Sequence, residues 1–149
     1  MAQGEVSVVI ERPAADVFAV LCDVEQNRRW SSTAREGHPT SDGPIGVGST
    51  AREVSVFLGR RIVVDSRIVE FVADRTLGYV TSGGPFPFNG RFLVEPLGPE
   101  TSRVEATFEA RLSGALRLVD RLFAVLARRT LASDLAGLKR LMESSDPQP

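Results

Sequence analysis

Apolar positions recur along this chain with two different spacings, and the change from one to the other divides it. Residues 5–11 alternate, with Val6, Val8 and Ile10 on one side, which predicts a strand. Pro13 then opens a helix at a position proline tolerates, and Val17, Val20 and Leu21 follow at helical spacing with Phe18 beside them. A second short helix is expected over 23–29, capped by Asp23 and closed by Trp30. From Thr33 the spacing becomes two. A weak strand at 33–39 leads through the Ser41-Asp42-Gly43-Pro44 turn cluster to strands at 49–58 and 60–71, joined tightly at Gly59. Val54, Val56 and Leu58 alternate on the first of these, and Ile62, Val64 and Ile68 on the second. Residues 76–82 form the next strand, with Leu77 and Tyr79 on one face. A hairpin of 88–96 and 102–112 follows, with Phe88, Gly90, Phe92 and Val94 on one side of its first strand and Val104, Ala106, Phe108 and Ala110 on one side of its second. The opposite faces carry Arg91, Glu95, Glu105 and Glu109, a polar outer surface on which Arg91 and Glu109 are expected to pair.

At Gly114 the spacing returns to that of a helix and keeps it to residue 144, a predicted length of roughly 45 Å. Leu116, Val119, Phe123, Leu126, Ala127, Leu138 and Leu141 share one broad face, and Arg117, Arg121, Arg128 and Lys139 lie opposite. Leu118 and Val125 fall on the polar side, where they either pack under the first helices or form part of a dimer patch. The Asp146-Pro147-Gln148-Pro149 tail ends the helix. Thr130 and Asp134 interrupt the apolar face at its centre. A carboxylate there needs a partner or a wet cavity, and an inward arginine such as Arg52 or Arg61 is the expected partner.

Strands run together and helices stand apart, so the class is α+β: a curved antiparallel sheet of six to seven strands whose apolar face is covered by the long C-terminal helix. A chain of 149 residues suits one domain over 1–149, with an ordered core about 5–143. Eighteen basic and nineteen acidic side chains leave a formal charge of −1, which argues against nucleic acid as a partner. One cysteine, Cys22, forbids an intrachain disulfide and reads as a packed thiol; one histidine, His38, excludes a histidine-rich metal site, and no metal or cofactor is expected. No stretch reaches the length of a membrane span and the N-terminus lacks a signal-peptide pattern, so a cytoplasmic location is expected.

Several local stretches in this order resemble the START and birch-pollen-allergen-like superfamily (SRPBCC), in particular its polyketide cyclase/dehydrase and lipid transport branch. Residues 10–18 (IERPAADVF) look like its first strand running through a proline into its first helix. Asp23-Val24-Glu25 through Trp30 looks like its acidic short helix, Gly46-Val47-Gly48-Ser49 like its glycine-rich approach to the third strand, and Arg67-Ile68-Val69-Glu70 followed by Asp74-Arg75-Thr76-Leu77 like its fourth strand, turn and fifth strand. Val94-Glu95-Pro96 and Thr101-Ser102-Arg103-Val104 look like its last hairpin. The resemblance implies a helix-grip fold with an apolar cavity between sheet and helix, used by members to bind lipids, sterols, hormones or polyketide intermediates. The matching residues are fold residues, so no catalytic motif is carried over.

If such a cavity exists, Trp30, Val64, Tyr79, Phe88 and Phe92 are expected on its wall, with Phe108, Leu116, Val119 and Phe123. Tyr79, Asp134 and His38 are the candidates for proton transfer. The Gly83–Pro87 stretch lacks the lysine of a phosphate loop and reads as a cavity lip. Three functions follow as expectations: a binding or transport module for a small hydrophobic or amphipathic molecule, lipid-like or polyketide-like; a cyclase or dehydratase acting in the same cavity; or a protein-interaction module. The expected partner is a small hydrophobic ligand, and the chain is expected to be a monomer or homodimer.

Overall fold

In the computed structural model, residues 2–57, 59–84 and 86–144 are described. Leu58, which belongs to the predicted third strand, and the predicted helix-ending tail lie outside them. Strand β1 (Ala2–Ile10) leads through Pro13 into α1 (Ala14–Cys22), a short 3₁₀ turn (Val24–Gln26) and α2 (Asn27–Trp30). Asp23 caps the turn as expected, its carboxylate accepting from the Glu25 N–H at 3.1 Å. Six strands follow: β2 (Ala34–Pro39), β3 (Thr50–Phe57), β4 (Arg60–Val72), β5 (Thr76–Ser82), β6 (Phe88–Gly98) and β7 (Thr101–Ala110). The chain closes with a 3₁₀ segment (Gly114–Val119) and α3 (Asp120–Met142).

All seven strands form one antiparallel sheet in the order β1-β7-β6-β5-β4-β3-β2. Each consecutive pair from β2 to β7 is a hairpin or meander, and β1 closes the far edge against β7. The alternation read in β6 and β7 is the core face: Phe92, Val94, Val104, Ala106 and Phe108 are buried. All of these but Phe108 meet Ile10 of β1, Val17, Phe18 and Leu21 of α1, and Leu135 and Leu138 of α3 in one continuous core. Gly137 is where α3 crosses closest to α2, because a Cβ there would collide with the Trp30 carbonyl oxygen.

Three expectations are corrected. The helical segment begins at Gly114, but its α-helical part begins only at Asp120. That glycine takes φ +62° and turns the chain into 3₁₀ geometry, and Val119 at φ −111°, ψ 20° breaks the path before α3 starts. In a 3₁₀ turn residues three apart eclipse one another, so Leu116 and Val119 share one side, and it faces outward: they are 48 % and 42 % exposed. Second, of the two alternatives for Leu118 and Val125, packing under the first helices is removed, since they are 88 % and 50 % exposed. Third, Arg91 pairs with Glu70 at 2.9 Å and not with Glu109, because the β6–β7 register sets Arg91 opposite Thr107, and Asn89 opposite Glu109.

Candidate functional site

The helix and the sheet part company in the middle. α3 closes on the core through Leu135 and Leu138 in its second half, while its first half reaches Phe57 at the end of β3 and Phe86 before β6, with Phe123 edge-on to them at 6.1 Å and 4.9 Å. Between these two contacts the sheet curves away, leaving a cavity of about 630 Å³. It runs the length of β3, about 23 Å. One end is the aromatic closure of Phe57, Phe86 and Phe123; the other lies between Leu21, Cys22 and Val24 and the loop carrying Ser41, Gly43 and Ile45. A volume of this size suits a small organic molecule.

Seven of the predicted wall residues line it: Trp30, Val64, Tyr79, Phe88, Phe92, Phe108 and Phe123. Leu116 and Val119 do not, for the reason given above. The rings are in contact: Phe92 stands 6.3 Å from Trp30 and 6.4 Å from Tyr79, and Phe88 stands 6.1 Å from Tyr79. Tyr79 lies directly over Gly90, where any side chain would strike its ring. Burial raises its hydroxyl, helped by the Glu53 and Asp134 carboxylates, so the group stays protonated and acts as a donor.

Asp134 also reaches the cavity, but no arginine meets it. Arg52 pairs with Asp65 at 2.8 Å and Arg61 with Glu36 at 3.8 Å, both on the exposed side. Asp134 instead accepts from the Ser32 N–H at 2.7 Å, the Ser32 hydroxyl at 2.8 Å and the Ser31 hydroxyl at 3.1 Å. It therefore ties α3 to the segment that follows α2. Burial pushes its carboxyl up, opposed by these hydrogen bonds. His38 does not join the site; it is exposed on β2, opposite Arg52 on β3. Cys22 lines the far end, its thiol pushed up to about 11 by burial and by Asp74, which leaves it un-ionised.

Sequence reasoning missed Glu53. The Val54–Val56 alternation marks the outer face of β3; Ala51, Glu53, Ser55 and Phe57 turn inward, opposite the inward Val64 and Ile62 of β4. A usable signal was present. A tight hairpin about Gly59 pairs Phe57 with Arg60, and stepping back along that register puts Glu53 beside Val64. The Glu53 carboxylate accepts from Asn27 Nδ2 at 2.9 Å and 3.4 Å. Burial raises it, and the Asn27 contact offsets part of that. Asn27 Oδ1 and the Trp30 indole N–H are buried without a hydrogen-bond partner among the described residues. Among the described residues, no group of three or more His, Cys, Asp or Glu is placed to hold a metal ion, and no helix is long and apolar enough to cross a membrane.

A seven-stranded sheet gripping a long C-terminal helix around an internal cavity defines a helix-grip protein. The chain belongs to the polyketide cyclase/dehydrase and lipid transport family, whose pattern matches residues 1–143. Among solved structures it is similar to a START superfamily protein from Mycobacterium smegmatis, at 19 % identity over 94 % of this chain and 98 % of that one, with a TM-score of 0.77. It is similar to the Zhui aromatase/cyclase from Streptomyces sp. R1128, at 18 % identity over 97 % of each chain and a TM-score of 0.79. A protein of Thermus thermophilus matches at 20 % identity over 96 % of this chain and 99 % of that one, with a TM-score of 0.78. No curated protein matches it in sequence.

Proposed function

We propose that this protein binds a small hydrophobic or amphipathic molecule, lipid-like or polyketide-like, in the cavity between sheet and helix, and holds or carries it without changing it. The observation that carries this reading is the cavity itself. It is about 630 Å³ of space walled by Phe57, Phe86, Phe88, Phe92, Phe108 and Phe123, with polar groups such as Glu53, Tyr79 and Asp134 among them. An apolar body gains by leaving water for such a wall, and a few polar groups fix its orientation. The family assignment and the START relative support the same reading. Native mass spectrometry of protein purified gently from its own source tests it. The expected result is a reproducible added mass that disappears on denaturation. A bare mass, together with no shift in melting temperature across a panel of apolar compounds, overturns the reading, since a ligand bound only to the fold must stabilise it by mass action.

A second reading, a cyclase or dehydratase in the same cavity, draws support from one arrangement: Tyr79, Asp134 and Glu53 all line it, and both carboxylates act on the Tyr79 hydroxyl. A protonated phenol beside carboxyls raised by burial is a donor–acceptor set of the kind proton transfer needs. The similarity to an aromatase/cyclase fits this reading as well. Incubation with a reactive polyketide-like chain separates the two: recovery of the input unchanged favours the carrier, and a Tyr79-dependent cyclised or dehydrated product favours the enzyme.

A further inference from the structure

We propose that the head of the bound molecule is a protonated amine: the cavity takes a cationic amphipath, its ammonium seated between Glu53, Asn27 and the Trp30–Phe92–Tyr79 ring cluster, its apolar body reaching toward Phe57, Phe86 and Phe123. This rests on the binding reading and adds the chemical class of the ligand.

Three independent features of the wall point to it. The first is charge. The chain carries eighteen lysines and arginines and one histidine, yet none of them is among the described residues lining the cavity. Its charged lining residues are all acids: Asp23 and Glu25 toward one end, Glu53 and Asp134 further in. A carboxylate or phosphate head would meet repulsion and no counter-ion, whereas an ammonium supplies the charge that the wall lacks.

The second is hydrogen-bonding capacity. Asp134 is satisfied by Ser31 and Ser32, but among the described residues Glu53 has only the Asn27 amide, and the other end of that amide, Oδ1, is a buried acceptor with no partner among them. At Glu53 and Asn27 Oδ1 the unmet capacity is for donors, and an ammonium, a compact group of three donors and no acceptor, matches these two; the buried Trp30 indole N–H is a donor still without an acceptor, which the ammonium does not supply. The third is the ring cluster. Phe92 stands within 6.4 Å of both Trp30 and Tyr79, and all three line the cavity beside the acids. Aromatic faces grouped beside a carboxylate attract a cation through the ring quadrupole, and do so more strongly out of water.

The test uses three probes with one tail: decylamine, decanol and decanoate, each titrated calorimetrically into the whole chain below micelle formation, against the native protein and Glu53→Gln. Decylamine is expected to bind at least about tenfold more tightly than decanol, with decanoate weakest. In Glu53→Gln the amine is expected to lose its preference over the alcohol. Decanoate binding as tightly as decylamine, or an amine preference that survives Glu53→Gln, overturns the inference and leaves the binding reading standing, because the tail has still found the cavity. If none of the three binds, the binding reading falls and the inference with it.

Discussion

At Glu53 the cost of enclosing a carboxylate is met by a single amide, Asn27 Nδ2 at 2.9 Å. Burial holds its carboxyl above the ordinary value of 4.5, the value near which it titrates in the unfolded chain. The sign follows by linkage: above its folded pKa the native state carries the full cost of the buried charge, and acidification through that pKa removes the cost, leaving none below about 4.5. Glu53→Gln keeps the shape and removes the charge. It is expected to raise the melting temperature at about pH 8 by a few degrees, at about 3 °C for each kcal/mol in a chain of this size, and the gain shrinks as the pH is lowered. Thermal melts followed by circular dichroism at several pH values check this; a variant less stable than the parent at about pH 8 sinks it. The same substitution is expected to weaken amine binding, so stability and binding move in opposite directions at this position. Tyr79 was legible in the sequence because it alternates with Leu77 on a strand whose inner face is apolar. Glu53 was not, because Val54 and Val56 form the more hydrophobic row of β3 and yet turn outward, opposite strand neighbours such as the 43 % exposed Val63. Hydrophobic rows locate the inner face of a strand only when the inner face is dry, and this one borders a cavity lined in part by polar side chains.

At the scale of elements, α3 does two jobs along one length. Its C-terminal half is a core helix, with Leu135 and Leu138 buried and Gly137 letting the Trp30 backbone approach. Its N-terminal half is a beam over open space, anchored at its far end by Phe123. Asp134 sits at the join and clips the helix to Ser31 and Ser32 through three hydrogen bonds. Asp134→Ala removes the clip and leaves the Ser32 N–H without its acceptor. A loss of about 1–2 kcal/mol is expected, less than three charged hydrogen bonds would suggest, because the variant is also spared the burial of a charge. Urea denaturation measures it; an unchanged midpoint would mean the clip holds nothing. The sequence pattern located this helix and marked Thr130 and Asp134 as the break in its apolar face. It misplaced the start because Gly114 to Val119 carries helix-like hydrophobic spacing without a capping side chain, and Leu116 and Val119 look inward only if the turn is α and not 3₁₀.

For the whole molecule, the order of elements along the chain, the helix that covers the sheet and the inward row of rings were legible from alternation and chain order. The empty volume was expected only through the family resemblance, since alternation says which side chains face in and is silent on whether they meet. Here they fail to meet because α3 is held off the sheet at both ends, by core packing at Leu135 and Leu138 and by the Phe57–Phe86–Phe123 closure. That space can be tested without any knowledge of the ligand. Ser55 faces the cavity from β3, opposite Ile62, and Ser55→Trp would add a large ring to the wall. In a filled core even a few added methylenes cost about 1–3 kcal/mol in strain, and an indole costs more. Over a cavity of about 630 Å³ the indole has room to lie along the wall, so stability is expected to stay within about 1 kcal/mol of the parent. The variant's native mass is expected to lose any adduct the parent carries, and decanol is expected no longer to raise its melting temperature. A loss of stability well beyond that margin would mean that sheet and helix close on each other in solution, and both proposed functions would lose the space they require.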